Sequence, residues 1–591
     1  MKEFFRTFFA VILAMIVMNI VAFFVCIAII ASLATFQSPK PVVENNSVLT
    51  ITLKDEIVDQ STINKYSVDW LSGGLSMEKN LGLREVTTAI RNAATDPKIK
   101  GISLELSGGV PTSISLLEEI RTALQEFKES GKFIYAYNNV GFSQKGYYIA
   151  SVADKVYLNP VGGFDLKGLY YSIPFFKDFF DKYNIEMQVI RHGKYKSAVE
   201  PFLSNKMSEA NREQISSFVN STWGNILAPI SISRNISIKD LNIYADELAV
   251  TNSKQAKKLN FIDDILYQDE YYALLKEETG IDSDKKLRQI ELEKYIASEP
   301  EKKRIENDGH IAIVYAQGDI IEGKSNQGSM GNETICEALR DAREDKKVKA
   351  IVFRVNSPGG SALASEFILR ELKLTLKEKP VIVSMGTYAA SGGYYISCAA
   401  NHIFADPTTL TGSIGVFGMV PCFQKLLKND LKINFEGVKT NKNADYMTTV
   451  VEPLSPYQIQ VIQNEIENIY DTFISHVAEG RNMTKEQVDA IAQGRVWTGS
   501  EAIEIGLIDD LGSLEDAIIF TAQKAGLTNY KIKEFPRKKD FFEELMENLS
   551  DMTTVKLFKK NQITPFIEAM EKAATMQGIQ ARLPFELIEG E

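Results

Sequence analysis

The sequence predicts a duplicated α/β protein, two tandem domains of parallel strand–helix–strand units following one N-terminal transmembrane helix. Three observations lead there. Segments of the chain recur at a near-constant offset, each copy alternates short β-branched runs with helical ones, and a long stretch near the start carries no charge.

The chain has 591 residues, too many for one hydrophobic core, and the length suggests about two to four domains. From Thr7 to Pro39 there is no Lys, Arg, Asp or Glu, and the run "FFAVILAMIVMNIVAFFVCIAIIASLATF" exceeds the roughly 20 residues a membrane helix needs. A secretory signal has a shorter apolar core of about 7–15 residues, so residues 1–40 are expected to be an uncleaved anchor, with "ASLA" as the alternative cleavage site. Lys2 and Arg6 precede the span and only Lys40 follows it closely. The positive-inside rule then keeps the N-terminus in the cytoplasm and places the body outside. The formal charge of −11 argues against nucleic acid as a partner. Cys336, Cys398 and Cys422 lie outside the span with no CxxC spacing, and are expected to be small buried side chains; no metal or cofactor is implied.

The repeat is visible by eye. "DPKIKGISLEL" from Asp96 matches "DKKVKAIVFRV" from Asp345, an offset of 249. "GYYIASVADKVYLNPVGGFDLKG" from Gly146 matches "GYYISCAANHIFADPTTLTGSIG" from Gly393, an offset of 247. "SKQAKKLNFIDD" from Ser253 matches "GSEAIEIGLIDD" from Gly499, an offset of 246. Coincidence would scatter these offsets. The domains are placed at 41–300 and 301–535, joined by a charged segment, with a helical tail over 536–591. In the second copy "KAIVFRV" and "PVIVSMG" read as strands, and "ASEFILRELKLTLKE" between them has apolar residues at helical spacing. A crossover of that length implies parallel strands, and the glycine clusters "NSPGGS" and "ASGGYY" fall at strand ends, where such sheets place their ligand sites.

Two residue types stand out because each occurs in one copy only. Ser391 follows a strand and opens a helix near Gly392, where backbone N–H groups and the helix dipole would favour a nucleophile and a developing oxyanion. The alternative is a serine that merely caps the helix. Aligning the two "GYYI" segments puts Gln144 opposite Ser391, so the fold does not require the hydroxyl. In the mirror case, "IEMQVIRHGKYKSAVEP" from Ile185 aligns with "INFEGVKTNKNADYMTT" from Ile433, which sets Lys196 opposite Ala444, or Asn443 with a gap; Lys442 lies close by. The chain holds four histidines, among them His192 near Lys196, and no GxSxG elbow; "TGSIG" at 411–415 lacks the leading glycine. A lysine can replace histidine as a base if burial lowers its pKa from about 10.4 towards 7. In "RVNSPGGSALASEF" Gly359 and Gly360 follow a strand, a glycine there lets a backbone N–H approach a carbonyl, and with the N–H of Gly392 this would form a two-donor oxyanion hole.

"RVNSPGGSALASE", "YAASGGYYIS", "TLTGSIGVFG", "YKSAVEPF" and "VWTGSEAIEIGLIDDLG" together resemble the long, duplicated form of the bacterial signal peptide peptidase A (protease IV) family, Ser-Lys peptidases of the Clp protease and crotonase superfamily. The resemblance implies Ser391 as nucleophile, Lys196 rather than Lys194 as general base, and the N–H groups of Gly359 and Gly392 as the oxyanion hole. It also implies a tetramer on the outer face of the cytoplasmic membrane that degrades remnant signal peptides. The rival readings are a crotonase-like acyl-CoA enzyme and a catalytically inactive membrane scaffold.

Overall fold

The computed structural model describes residues 6–8, 10–18, 20–21, 41–61, 65–69, 74–78, 80–298, 308–326, 328–447, 450–537 and 578–583. Most of the expected membrane span, 22–40, lies outside them, as does most of the tail. Among the described residues no helix is long and apolar enough to cross a membrane.

The first copy contains β1 (Ser47–Ile51), β2 (Ile99–Glu105), β3 (Phe133–Asn138), β4 (Lys155–Leu158), β5 (Glu186–His192), β6 (Asp264–Ile265) and β7 (Gln289–Glu291). All but β5 form one parallel sheet in the order β6-β4-β3-β2-β1-β7. The second copy contains β8 (Gly309–Gln317), β9 (Val348–Ser357), β10 (Gly359–Ser361), β11 (Val381–Ala390), β12 (His402–Ala405), β13 (Val416–Cys422), β14 (Asp510–Leu511) and β15 (Tyr530–Phe535). Its parallel sheet runs β14-β12-β11-β9-β8-β15, the same order strand for strand. The duplication inferred from the offsets is thus a duplication of topology. The central strand β9 is buried along nearly its whole length, as a parallel strand covered on both faces must be, and this explains its apolar run from Ala350 to Phe353, which Arg354 ends.

The helices repeat in the same way. The first copy has α1 (Leu83–Thr95), α2 (Ile114–Lys128) and the long α3 (Glu209–Arg234), and the second has α4 (Asn332–Glu344) and α5 (Ala362–Thr375). α1 buries Val86, Ala89, Ile90 and Ala93, and α4 buries Ile335, Ala338, Leu339 and Ala342, one apolar stripe kept at the same offset of 249. Each ends at an aspartate that accepts a hydrogen bond from the N–H two residues on, Lys98 to Asp96 and Lys347 to Asp345, both at 2.9 Å. The "DPK" and "DKK" sequences are therefore the Asx turns that break the helix and launch β2 and β9.

A further sheet departs from the parallel pattern and joins the copies. It runs β5-β13-β16-β10 and on to Asp319–Ile321 and Ser329–Gly331, where β16 is Gly578–Arg582. β5 of the first copy pairs antiparallel with β13 of the second, from Glu186 opposite Cys422 to His192 opposite Val416. β16 corrects the expectation of a helical tail: here the chain is extended, because β10 and β13 both present free edges and an inserted strand satisfies both. The remainder of 536–591, apart from Pro536, Arg537 and Leu583, lies outside the described residues.

The copies also share a buried ionic cluster. Arg354 on β9, 1% exposed, donates to Asp59 and to Glu119 of α2, each at 2.7 Å. Thr408 donates to Glu118 through its N–H and hydroxyl. Burial pushes the Glu118 carboxyl up to about 8 and raises Glu119 and Asp406, since one guanidinium cannot offset four nearby carboxyls.

Candidate active site

Ser391 stands where β11 ends, at φ 56° and ψ −113°. A non-glycine residue rarely adopts that backbone, and the strain lifts the side chain out of the line of the strand. Its N–H is held by the Gly412 carbonyl at 2.8 Å. The helix that follows, Gly392–Tyr395, is a single turn, so the dipole expected from the sequence shrinks to the local N–H groups. The Ser391 side chain makes no capping hydrogen bond, so the capping alternative fails. Its Oγ lies 2.8 Å from Nζ of Lys196 and 3.5 Å from the Gly415 carbonyl.

Lys196 reaches that point from the other copy. β5 delivers the chain to a tight loop at Gly193, whose φ of 108° no side chain would favour and whose added Cβ would strike the Gln493 carbonyl at 2.6 Å. Tyr195 N–H donates to that same carbonyl at 2.8 Å, Arg191 donates to the Lys196 carbonyl at 3.0 Å, and Gln214 of α3 donates to the Tyr195 carbonyl at 3.0 Å. Gln214 also accepts from Val496 N–H of the second copy. Gly494 closes the other side: a Cβ there would sit 2.7 Å from the Lys196 nitrogen.

The lysine side chain is fully buried, as are Ser391 and Ser413. Nζ has three neighbours: Ser391 Oγ, the Ser413 carbonyl at 3.2 Å and Ser413 Oγ at 3.1 Å. Desolvation alone pushes its pKa well below the usual lysine range. A neutral amine suits this shell, donating to the two Ser413 oxygens and keeping its lone pair for the Ser391 hydroxyl.

Of the two glycines expected to donate to an oxyanion, Gly359 has its N–H engaged by Ser357 Oγ at 3.1 Å. The ladder beside it places Gly360 there instead. Leu583 N–H donates to the Pro358 carbonyl at 2.6 Å, and antiparallel pairs alternate, so the next hydrogen-bonded pair is Gly360 with Ala581. Gly359 still matters as open space: its φ is 101°, and a Cβ would fall 2.2 Å from the Ala581 carbonyl and 2.8 Å from Gly392 nitrogen. At Gly392 a Cβ would lie 3.0 Å from that same carbonyl oxygen.

The structure therefore brings Ser391, Lys196, Gly359 and Gly392 to one place. Sequence reading weighed both glycines of "PGGS" and chose Gly359, and it missed Ser413, although the "TGSIG" motif that contains it was in view. Lys442, which clouded the alignment, is exposed. Gln144, opposite Ser391 in the first copy, accepts from Lys167 and Gly168 N–H groups at 2.8 Å and braces a loop. His192 stacks on Tyr470 at 3.8 Å and meets Glu467 at 2.7 Å, outside this constellation. Cys398 and Cys422 are buried and unpaired as expected, whereas the free Cys336 is half-buried. Among the described residues no cluster of His, Cys, Asp and Glu could hold a metal ion.

Comparison with known proteins identifies relatives of the chain. Protease 4 of Haemophilus influenzae is 36% identical over 516 residues, covering 85% of this chain and 83% of its own. The chloroplastic serine protease SPPA of Arabidopsis thaliana is 36% identical over 501 residues, covering 83% of this chain and 71% of its own. Among solved structures, a ClpP1 mutant from Listeria monocytogenes aligns with 35% of this chain and 94% of its own, at 16% identity and a TM-score of 0.24. Peptidase family S49 matches residues 126–282 and 373–528, one segment in each copy. The chain belongs to peptidase family S49.

Proposed function

We propose that the protein is a membrane-anchored serine endopeptidase working through a Ser391–Lys196 dyad on extended, apolar peptides, remnant signal peptides foremost. The observation that carries this is the 2.8 Å approach of a fully buried lysine amine to a buried serine hydroxyl. As the Ser391 oxygen attacks a peptide carbonyl, its proton passes to neutral Nζ and an Oγ–carbon bond forms. The oxyanion is held by the Gly392 N–H and that of Gly360, with Gly359 leaving the space. Nζ then gives the proton to the departing amine, and the again neutral Lys196 Nζ takes a proton from water, whose oxygen displaces the acyl group as a carboxylic acid while Nζ returns the proton to Ser391 Oγ.

The preference for apolar peptides is supported by a patch beside the serine in which Ile215 and Phe218 of the first copy meet Ala390, Leu410 and Val496 of the second. Main-chain pairing along β10 and β13, where β16 now lies, would accept many sequences once that strand is displaced. Anchoring at the N-terminus is supported by the charge-free span and by the exposure of Val11, Leu13, Met15 and Ile16 within it. The body then lies on the outer face of the cytoplasmic membrane, and assembly as a tetramer follows the same reading.

Ser391→Ala and Lys196→Ala are each expected to lower hydrolysis of an apolar reporter peptide by about 10⁴-fold or more while folding normally. A fluorophosphonate should label Ser391 and nothing else. Full hydrolysis by both folded variants would leave the scaffold or acyl-CoA readings instead.

A further inference from the structure

We infer that Glu200 is a positioning residue for the general base: its carboxylate sets the direction of a buried hydrogen-bond network that aims Lys196 at Ser391. The inference rests on the dyad reading above. Glu200, Ser197, Asn211 and Gln214 are all buried, and they surround the backbone on both sides of the lysine. A carboxylate can only accept, and Glu200 accepts from Asn211 Nδ2 at 3.0 Å and from the Ser208 hydroxyl and N–H at 2.6 and 3.3 Å.

That direction propagates. With its amide nitrogen committed to Glu200, Asn211 turns its oxygen to the other side, where it accepts from Ser197 Oγ at 2.8 Å and from Gln214 Nε2 at 3.1 Å. Gln214 in turn donates to the Ser197 hydroxyl at 2.8 Å and to the Tyr195 carbonyl at 3.0 Å, in the peptide bond that enters Lys196. On the far side Arg191 donates to the Lys196 carbonyl at 3.0 Å and stands 3.9 Å from the same Glu200 carboxylate. One acidic side chain therefore orders the donors that hold the carbonyls before and after the lysine. A shift of about 1 Å in a reacting group can cost on the order of 100-fold in rate, so this hold has a kinetic consequence.

The duplication indicates that the fold does not require this frame. α3 and the helix Pro456–Arg481 correspond at an offset of 247, each 26 residues long and each capped by a serine, Ser208 and Ser455. At that offset Asn211 stands opposite Gln458 and Gln214 opposite Val461, and the alignment that sets Lys196 opposite Ala444 sets Glu200 opposite Thr448. The copy without the lysine thus keeps the helix and lacks the frame, just as the copy without Ser391 keeps its strand and lacks the hydroxyl.

Fluorophosphonate labelling beside peptide kinetics on the full chain tests this. Asn211→Asp keeps the side-chain shape but sets an acceptor against Glu200, so kcat and the labelling rate of Ser391 should each fall roughly tenfold or more while KM stays within about twofold. Adding Glu200→Gln, which restores a donor–acceptor pair, should recover most of both. Glu200→Thr, a substitution drawn from the second copy, should show the same split and takes the place of Asn211→Asp should that variant not fold. In a Lys196→Ala background Asn211→Asp should change the residual labelling by less than about twofold, because the frame acts only through the lysine. Unchanged kcat in the folded variants, no recovery in the double variant, or an equal further loss without the lysine would overturn the proposal, the last by making Glu200 an anchor of α3 alone. A Lys196→Ala protein labelled as fast as wild type would instead sink the dyad reading on which it rests.

Discussion

At the scale of single residues, Lys196 and Ser391 show how burial and strain are put to use. A lysine whose folded pKa lies well below its unfolded value near 10.4 binds fewer protons folded than unfolded across that window. Its burial therefore costs stability that is recovered as pH rises, and hydrolysis should fall as the pH drops through the folded pKa and the amine gains a proton. A pH–rate profile showing one acid limb, absent from labelling of denatured protein, would report that group. Ser391 holds a backbone conformation suited to glycine. Ser391→Gly should then be more stable than Ser391→Ala by about 1 kcal/mol, read from denaturant midpoints, with both inactive.

At the scale of elements, the lysine loop is placed by packing rather than by any property of its own. β5 fixes where the loop starts, Gln214 of α3 ties its carbonyl, and Gly494 leaves room for its backbone. Gly494 has φ 80° and lies against the lysine nitrogen, so Gly494→Ala combines backbone strain with a clash. We expect a loss of about 1–3 kcal/mol and a drop in kcat larger than any change in KM, because the amine is displaced from the hydroxyl while the groove stays intact. Steady-state kinetics beside a denaturation curve would separate the two effects.

At the scale of the whole molecule, the two copies are held in register by the shared sheet and by the cluster around Arg354. Arg354→Met would leave Asp59, Glu119 and Asp406 buried without their cation, and about 3–5 kcal/mol should be lost in chemical unfolding at neutral pH. Glu118 titrates in the opposite sense to the lysine. Its folded pKa of about 8 exceeds the ordinary 4.5, so the folded state holds the extra proton and stability falls as pH rises between those values. The slope of unfolding free energy against pH over that range should be shallower in Glu118→Gln.

The sequence alone determined the duplication, the parallel βαβ pattern and the pairing of a serine in one copy with a lysine in the other, because repeats, periodicity and motif spacing are local properties written along the chain. Offsets near 249 carried α1 onto α4 position by position. Tertiary structure alone decided which glycine faces a carbonyl, since Gly359 and Gly360 are adjacent and only the ladder with Ala581 tells them apart. It likewise decided that Ser413 surrounds the amine, that Lys442 stays in solvent, and that Gly578–Arg582 forms a strand, the last because the two edges it joins lie far away in sequence. Contacts between distant residues depend on how the two copies dock, and docking is set by surfaces that no local pattern records.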